Sequence, residues 1–459
     1  MGRSPLEAQT AMSDRWPKII RDPVHNIIPF DDNQWDRLLL ELINAREFQR
    51  LRRIRQLGVS NFVFPGADHT RFAHSIGVMH TARMFLDRIA TGLGRQITEE
   101  QRTAVLAAAL LHDVGHGPFS HAFEKITGEH HEKRTREIIT DPTTEVNKAL
   151  RRCDPALPDI IDDFFSEDIE EASEDGGRVP AYLAQIVSSQ LDADRFDYLL
   201  RDSYATGTDY GRFDLKWLLQ NLFLDEQRPR FYLGHKASLA VEGYVFARYH
   251  MYRVVYFHKT TRAAEVMLRL LFKRFKELVD DAPSEEAKRS LAPGTPPSVL
   301  RVFSGPVSLD DYLKLDDCAI AEFWRCCEQS RDPLLQELGG GLLHRRLYKA
   351  IDVTPHQSDL VAAFVMEANK AIEGRGLSPE YALAVDTPGD TPYKPYDPDA
   401  EKPATQIYVE NSAGKVEALS HGSGIVEVLA RKYTLVRYYF PEGLRNELKA
   451  VADRKLAKE

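Results

Sequence analysis

The chain has 459 residues, and its 60 lysine and arginine residues against 69 aspartate and glutamate residues give a formal charge of −9. A hydrophobic content of 43% with 28% charged residues is typical of soluble globular proteins and excludes wholesale disorder. No stretch approaches the roughly 18 consecutive apolar residues that a membrane helix needs, and the first residues lack the apolar segment of a secretory signal. The four cysteines (Cys153, Cys318, Cys326 and Cys327) match no disulfide or CxxC pattern, so we expect a cytoplasmic protein.

Most of the chain is predicted to be helical. Apolar residues recur at intervals of three and four in Trp35–Ile43, His74–Thr91, Glu99–His112, Val179–Arg201 and Leu239–Val279. Strand signals are sparse. The sequence KIIRDPVHNIIPF predicts a hairpin, PRFYLG a further strand, TQIYVEN with VEAL a second hairpin, and TLVRYYF a candidate partner strand for that hairpin. We therefore predict a mainly α fold, with small peripheral β-hairpins and a smaller α+β C-terminal lobe.

Two proline-rich stretches, Leu291–Pro306 and Asp386–Pro403, predict long loops or linkers. They divide the chain into a disordered tail over 1–17, a main body over 18–290 and a C-terminal lobe over 291–459, with a Pro-rich linker at 386–403. An acidic run from Asp159 to Asp175 favours a solvated loop or helix face.

Histidines are concentrated in one part of the chain. Eight of the fifteen lie between residues 69 and 131, far more than even spacing would place there: His69, His74, His80, His112, His116, His121, His130 and His131. Imidazole is the commonest ligand for transition metals and the readiest proton carrier near neutral pH. The cluster therefore indicates metal or acid–base chemistry.

The centre of this cluster is the sequence AVLAAALLHDVGHGPFSHAFE. An apolar helix is predicted to end at His112 and Asp113, because the glycines and the proline that follow cannot continue it. A buried carboxylate needs a partner, and a cation is the simplest one. Adjacent side chains diverge by about 100° on a helix, so the pair can reach one ion only where the backbone leaves helical geometry.

Further ligands must come from distant sequence. His74 follows Arg71 near the start of one helix, and in QLDADRFDYLLRD the residues Asp194, Asp197 and Tyr198 share a helical face that Asp202 continues. The alternative for this stretch is an exposed acidic face. Two imidazoles with two carboxylates would make a mixed nitrogen and oxygen site that suits iron, manganese, zinc or another divalent ion.

At these residues the chain resembles the HD-domain metal phosphohydrolases. Within them it is similar to the deoxynucleoside triphosphate (dNTP) triphosphohydrolases of the branch that contains the sterile-alpha-motif/HD-domain enzymes. The strings FQRLRRIRQLG, VFPGADHTRFAHSIG and HDVGHGPFSH carry the resemblance, which runs from about Lys18 to Leu270. It implies an HD-domain helical core over 18–290 and a C-terminal lobe for oligomerisation or regulation. It also implies conversion of a dNTP to a deoxynucleoside and inorganic triphosphate by attack at the α-phosphorus. The short N-terminal tail leaves no room for a sterile-alpha-motif domain.

The resemblance assigns residues to each role. It implies the metal ligands His74, His112, Asp113 and Asp194, and the catalytic residues His116, His121, Glu124, His131 and Glu132, with His121 as the acid that protonates the leaving 5′ oxygen. It implies the substrate-binding residues Gln56, Leu57, Arg71, Asp194, Arg195, Tyr198, Asp202, Arg248, Tyr252 and Tyr256, with Mg²⁺ accompanying the nucleotide. Tyr256 would pack against the 2′ carbon and exclude ribose, although Tyr252 and Tyr256 could equally be a core-packing stripe.

The resemblance also implies nucleotide activation, by GTP or a dNTP, and assembly into a homotetramer. The matching allosteric residues would be Lys18, Asn44, Gln49, Arg52, His258 and Lys259. Asn44 replaces an aspartate of the family pattern, and the family's C-terminal effector bases have no match around Gln406–Lys415. Catalysis is therefore better supported than activation.

Two other functions remain open. One is an HD-domain phosphohydrolase that acts on another phosphoester, such as a nucleoside monophosphate or a cyclic nucleotide. The other is a nucleotide- or nucleic-acid-binding regulatory protein, which the arginine run at Arg46, Arg50, Arg52, Arg53 and Arg55 would support.

Overall fold

The computed structural model describes residues 16–119, 123–124, 128, 130–166, 179–225, 228, 230–353, 358–387, 406–429 and 436–456. The fold is mainly α-helical with small sheets, as predicted. The α-helices are α1 (Gln34–Asn44), α2 (Arg46–Gln49), α3 (Arg71–Asp87), α4 (Glu99–Leu111), α5 (His131–Thr140), α6 (Glu145–Cys153), α7 (Leu157–Asp163), α8 (Ala181–Ala184), α9 (Ala193–Thr206), α10 (Leu215–Gln220), α11 (Ser238–Met251), α12 (Lys259–Asp281), α13 (Glu285–Leu291), α14 (Pro297–Ser304), α15 (Leu309–Tyr312), α16 (Asp317–Glu328), α17 (Pro333–Leu343), α18 (Ser358–Gly374), α19 (Pro379–Ala382), α20 (Leu419–Gly422), α21 (Gly424–Leu429) and α22 (Arg445–Lys455).

The strands form small sheets at the periphery. They are β1 (Lys18–Asp22), β2 (Asn26–Phe30), β3 (Leu222–Leu224), β4 (Phe231–Leu233), β5 (Lys349–Val353), β6 (Ala384–Asp386), β7 (Tyr408–Glu410), β8 (Val416–Ala418) and β9 (Val436–Phe440). Both predicted hairpins are present, as β1–β2 and β7–β8. The PRFYLG strand, β4, pairs with β3 and in parallel with β7.

The TLVRYYF strand, β9, was expected beside the second hairpin, and that expectation is wrong. It pairs antiparallel with β5 and β6 instead, with Tyr438 opposite both Ile351 and Val385. This pairing buries Tyr439 in the cluster around α12, α16 and α17, and Phe440 in the cluster between α18 and α22.

Two long predicted helices are interrupted. Val179–Arg201 divides into α8 and α9, because Asp192 leaves helical geometry and accepts a hydrogen bond of 2.7 Å from the Arg195 N–H, which starts α9. Leu239–Val279 divides at a π-helical turn, Tyr252–Tyr256, after which His258 caps α12 by accepting from the Thr260 N–H.

One predicted loop is a helix. Within Leu291–Pro306, helix α14 starts with Pro297, whose missing N–H is harmless in a first helical turn. The helix buries Val299, Leu300 and Phe303. Most of the predicted linker 386–403 lies outside the described residues; Asp386 itself ends β6 and accepts from Arg262. The acidic run is described only up to residue 166.

The buried apolar residues form three clusters. The largest joins the helices up to the π-helical turn, a second surrounds α12, α16 and α17, and a third lies between α18 and α22. Cys326 and Cys327 pack in the second cluster, as the adjacent pair on a helix predicts. The domain boundary near residue 290 stays a prediction. Among the described helices, none is long and apolar enough to cross a bilayer.

Helices α3, α4 and α9 pack together and bring the functional residues to one place. Helix α4 is buried from Thr103 to its end, and its alanines let neighbouring helices approach closely. Gly77 on α3 faces Asp197 and Arg201 on α9. A Cβ atom at position 77 would lie 2.0 Å from Asp197 Oδ1 and 2.3 Å from Arg201 Nη2, so only glycine fits at this crossing.

We expect Gly77→Ala to lower the stability of the fold, although alanine is the better helix former. The added methyl must displace a buried ion pair, which costs on the order of 1–3 kcal/mol. The matched control is Gly243→Ala on α11, where a Cβ meets nothing within 4 Å. That change should stabilise by up to about 1 kcal/mol. Thermal unfolding of both variants measures the difference, and equal midpoints would contradict the packing described.

Candidate metal centre

Three predicted ligands lie at the junction of α3 and α4. His74 is on the first turn of α3, His112 caps the C-terminus of α4, and Asp113 follows in the turn. Asp113 Oδ1 lies 3.3 Å from His112 Nε2, and Asp113 Oδ2 lies 3.8 Å from His74 Nε2. The ligand atoms of the three side chains all lie within 4.8 Å of one another.

Asp194 completes the set from the first turn of α9. Its Oδ1 lies 3.0 Å from His74 Nε2 and 3.7 Å from His112 Nε2. It is the more exposed carboxylate, with 32% side-chain accessibility against 8% for Asp113. The structure therefore brings the four predicted ligands together, with Asp194 on the solvent side.

The glycine-rich turn after Asp113 explains how adjacent residues can face one point. The turn starts as soon as α4 ends, with the Val114 N–H donating to the Leu111 carbonyl at 3.0 Å. Gly115 then runs directly against α5. A Cβ there would lie 2.3 Å from the His131 carbonyl oxygen and 2.3 Å from the Thr135 nitrogen. The glycine thus permits the close approach that redirects the backbone.

The donor atoms fit a divalent cation. His112 Nδ1 donates to the Ala109 carbonyl at 2.8 Å, which leaves the Nε2 lone pair directed at the carboxylates. Within the described residues this buried Nε2 has no hydrogen-bond partner. His74 Nδ1 is likewise fixed by Asp197 Oδ2 at 2.8 Å. Two imidazole Nε2 atoms beside two carboxylates are a donor set that would suit zinc, iron or manganese.

Without a cation, protons would have to balance these charges. Burial lowers the pKa of His74, but hydrogen bonds with Asp194 and Asp197 outweigh burial and raise that pKa to about 10. Burial would raise the pKa of Asp113, but Arg71 and His112 outweigh it and hold the pKa well below its usual range. Arg71 donates a hydrogen bond to Asp113. The site is therefore rich in fixed negative charge.

A second layer of charges orients His74. Asp197 is fully buried and accepts from Arg201 Nε at 2.7 Å and from His25 Nε2 at 2.7 Å. Arg201 also donates to Asp22 at 2.8 Å, which ties the β1–β2 hairpin to the centre. Burial would raise the pKa of Asp197, but Arg201 outweighs it and keeps the carboxylate ionised.

The roles of His25, Asp22 and Arg201 were not predicted. The spacing of Asp194, Asp197 and Arg201 on α9 is the signal that could have revealed the Asp197–Arg201 pair. His25 lies far away in sequence, in a stretch that predicted only turn chemistry. Nothing in one sequence marks that contact.

A second group of titratable side chains adjoins the first. His131 Nδ1 lies 2.9 Å from Glu124 Oε1, and His116 Nδ1 lies 3.6 Å from the same oxygen. The His116 and His131 rings stack with centroids 3.8 Å apart, and His116 Nε2 lies 3.2 Å from Asp113 Oδ1. Burial, with Arg71 nearby, holds the pKa of His116 well below its usual value. The predicted catalytic residues His116, Glu124 and His131 are thus together.

Of the other two predicted catalytic residues, Glu132 is exposed in the first turn of α5 and is not part of this contact set. His121 lies outside the described residues, so its predicted role as the acid stays a prediction.

Farther along α9, Tyr198 and Asp202 meet Tyr252 and Tyr256 of the π-helical turn. We call these four residues the tyrosine wall. Tyr256 donates to Asp202 Oδ2 at 2.7 Å, and His69 Nε2 lies 2.7 Å from Asp202 Oδ1. The Tyr256 ring meets those of Tyr198 and Tyr252 at centroid distances of 6.4 and 5.0 Å. These contacts unite four of the predicted substrate-binding residues. His69 was not predicted for this role.

The remaining predicted substrate residues differ in their surroundings. The Arg248 guanidinium lies 5.8 Å from the Tyr252 ring centroid and donates to Gln190 at 2.8 Å. Arg195 donates to the buried Asp192 at the start of α9. Gln56 and Leu57 are half-buried in the loop before His69, and the Gln56 N–H donates to the His69 carbonyl at 3.0 Å.

The predicted allosteric residues fall into separate places. Gln49 Oε1 accepts from Arg52 Nε at 2.8 Å, and the exposed Asn44 donates to the Leu40 carbonyl. Lys18 lies 5.8 Å from the Trp16 ring centroid.

His258 and Lys259 lie at the start of α12, where Lys259 lines a cavity of about 520 Å³. Four further bases line the same cavity, and the sequence did not point to them: Arg345, Lys349, Arg445 and Lys449. They come from segments more than 80 residues away, which only the tertiary fold brings to Lys259.

We expect Asp197→Asn to weaken metal binding, because an amide cannot hold the His74 N–H as a carboxylate does. Loss of such a supporting group typically costs 10–100-fold in metal affinity. The control is Asp386→Asn, which also removes a buried carboxylate that accepts two bonds from one arginine, Arg262. Competition titration with a chelating dye measures the metal affinity of both variants. Equal affinity in the two variants would contradict the role of Asp197.

Comparison with known proteins places this centre in a family. The model of the HD domain matches residues 71–201, which include all four ligands. The uncharacterized protein YwfO of Bacillus subtilis is 36% identical over 93% of this chain and 93% of its own length. The deoxynucleoside triphosphate triphosphohydrolase SAMHD1 homolog of Dictyostelium discoideum is 29% identical over 73% of this chain and 60% of its own.

A solved structure agrees with these relatives. The crystal structure of a phosphohydrolase from Bacteroides thetaiotaomicron has a TM-score of 0.75 and 26% identity, covering 93% of this chain and all of that one. The chain therefore belongs to the family of HD-domain phosphohydrolases.

Proposed function

We propose that this protein is a metal-dependent dNTP triphosphohydrolase that converts a dNTP to a deoxynucleoside and inorganic triphosphate. The observation that carries the proposal is the placement of two different sets of groups on one face of α9. Asp194 belongs to the metal centre, and Asp202 belongs to the tyrosine wall. Eight residues of helix separate them by about 12 Å. That distance is comparable with the length of a nucleoside attached to its first phosphate.

The metal end suits a phosphate chain. A bound divalent ion supplies Lewis-acid stabilisation of a phosphoryl oxygen and activation of a water molecule. Arg71 lies beside Asp113, where its guanidinium can bind phosphate oxygens in a fork that lysine cannot make. Arg195 and Arg248 would bind oxygens of the same triphosphate, farther from the metal.

The histidines would supply the proton that the leaving 5′ oxygen needs. The water oxygen bonds to the α-phosphorus and loses a proton to solvent, the bond from phosphorus to the 5′ oxygen breaks, and the 5′ oxygen takes up a proton. His121 is the proposed donor of that proton. Glu124, which accepts from His131 at 2.9 Å, would balance the charge on the imidazoles. His116, buried with a depressed pKa, would stay neutral and orient groups at the α-phosphate.

The wall end suits a deoxyribose. Tyr256 is held by its hydrogen bond to Asp202 and by edge contact with Tyr252. A rigid ring packed at the 2′ carbon would clash with an added hydroxyl group. Gln56, Leu57 and Tyr198 would contact the sugar and the base.

We further propose activation by GTP or a dNTP in a homotetramer, at sites that include Lys18, Asn44, Gln49, Arg52, His258 and Lys259. The cavity beside Lys259 supports an anionic effector, because five bases line it against Asp453. Activity that appears only when nucleotides are mixed would reveal such control.

We expect the purified protein with Mn²⁺, Fe²⁺ or Zn²⁺, and Mg²⁺ with the nucleotide, to release nucleoside and inorganic triphosphate from dNTPs. His112→Ala and Asp113→Ala should abolish both turnover and bound metal, because each removes a ligand. His235→Ala, which removes an exposed histidine outside the site, is the control. Chromatography of products from single and mixed dNTPs measures this. Release of monophosphate instead of triphosphate would favour another phosphoester, and full turnover by His112→Ala would refute the site.

We expect Tyr256→Ala to admit ribonucleotides and Tyr256→Phe to exclude them still. The ring provides the steric barrier, whereas the hydroxyl group only anchors it to Asp202. Removing such a barrier is worth roughly 1–3 kcal/mol, or a 10–200-fold fall in the dNTP to NTP ratio of kcat/KM. Competition assays with dGTP and GTP measure the ratio. Equal ratios in the wild type and Tyr256→Ala would show that this ring does not select the sugar.

A further inference from the structure

The turn that carries His116 is held at both ends by one segment from the C-terminal half. Tyr312 donates its hydroxyl hydrogen to the Gly115 carbonyl at 2.7 Å. Asp317 Oδ1 accepts from the Phe119 N–H at 3.1 Å. Both side chains are buried, with relative exposures of 0% for Tyr312 and 5% for Asp317. We call residues 312–317 the bracket segment.

The turn has reason to need such support. Its sequence, Gly115 to Phe119, contains two glycines and a proline, and it continues no helix. Phe119 has a φ angle of 51°, in the left-handed region that bulky residues rarely adopt. Conformations of this kind persist only where the surroundings enforce them. Here the Asp317 carboxylate fixes the Phe119 N–H, and the Phe119 ring stacks on Trp324 at 5.2 Å.

The bracket segment is itself anchored on its other side. The buried Arg50 donates from Nε to the Leu315 carbonyl at 2.8 Å, and its guanidinium lies 5.2 Å from the Tyr312 ring centroid. Two further contacts come from the arginine run: Arg53 Nε to Asp316 Oδ2 at 2.5 Å, and the Arg55 N–H to Asp317 Oδ2 at 2.9 Å. Asp317 thus joins the Arg55 backbone to the Phe119 backbone through one carboxylate.

The position of His116 depends on this turn. Its ring lies between Asp113, at 3.2 Å, and His131, on which it stacks. Because residue 116 follows directly after the carbonyl that Tyr312 holds, a shift of that carbonyl moves the imidazole relative to both partners. Misplacement of a reacting group costs rate even when binding is unchanged.

We propose that Tyr312 and Asp317 are positioning residues, which hold the turn so that His116 faces the α-phosphate. The inference rests on the proposed function for its effect on turnover, but the order of the turn can be measured without any substrate. Arg134 on α5 also lies over the Tyr312 ring, at 4.7 Å, so the same side chain touches the helix that carries His131.

The test uses Tyr312→Phe and Asp317→Asn in the full-length protein loaded with Mn²⁺. Phenylalanine keeps the ring and its arginine contacts and removes one hydrogen bond. Asparagine keeps the volume, but its amide can accept only one of the two N–H groups while turning its own donor toward the other. Amide hydrogen exchange of peptides spanning residues 113–119 should accelerate in both variants. With dNTP, kcat should fall about tenfold, with KM and metal content unchanged.

The matched control is Tyr381→Phe. Tyr381 also belongs to the second core cluster, and its hydroxyl group donates to Glu277 at 2.5 Å, away from the turn. This variant should leave exchange at 113–119 and kcat at the wild-type values. If the wild type cleaves no dNTP, the proposed function fails while the exchange experiment still decides whether the bracket orders the turn. Wild-type exchange in Tyr312→Phe and Asp317→Asn would overturn the proposal, as would wild-type kcat in an active enzyme.

Discussion

Placing two carboxylates, one buried and one partly exposed, beside two imidazoles is the constraint on which the rest of this structure depends. The Nε2 atoms of His74 and His112 lie 3.0–3.8 Å from oxygens of Asp113 and Asp194. Buried charges are tolerated only when they are paired and hydrogen-bonded. Each of these four side chains lies within 4 Å of at least two of the others. A divalent cation bound among them would satisfy the whole group at once.

The need to pair buried charges also explains why segments distant in sequence contact this centre. Asp197 orients His74, Arg201 neutralises Asp197, and the N-terminal hairpin adds His25 and Asp22. On the opposite side the bracket segment holds the histidine turn. The centre is therefore assembled from both halves of the chain.

The sequence predicted the ligands well because their chemistry leaves local marks. An apolar helix that ends in His112 and Asp113 before a glycine-rich turn has few structural explanations, and the four side chains do lie close together. Their role as metal ligands stays a prediction. The helix breaks were harder. In Val179–Arg201 the apolar periodicity continues through the break, whereas Asp192 acts as a cap through a side-chain hydrogen bond that periodicity does not reveal. Proline was misleading in α14, where Pro297 starts a helix instead of ending one.

Contacts between distant segments could not be predicted from one sequence. His25, Tyr312 and the bases that join Lys259 are ordinary residues in their local stretches. Each meets its partner only through tertiary packing: His25 at Asp197, Tyr312 at Gly115, and the bases at the cavity beside Lys259. The dNTP specificity proposed here depends on the tyrosine wall, which α9 and the π-helical turn form together, and therefore on contacts more than on motifs.

The central claim is that four side chains hold one divalent ion. Anomalous diffraction at the manganese edge, from crystals grown with Mn²⁺, tests it most directly. The account predicts one strong peak at about 2.0–2.2 Å from His74 Nε2, His112 Nε2 and oxygens of Asp113 and Asp194. A peak among His116, Glu124 and His131 instead, or none at either group, would contradict it.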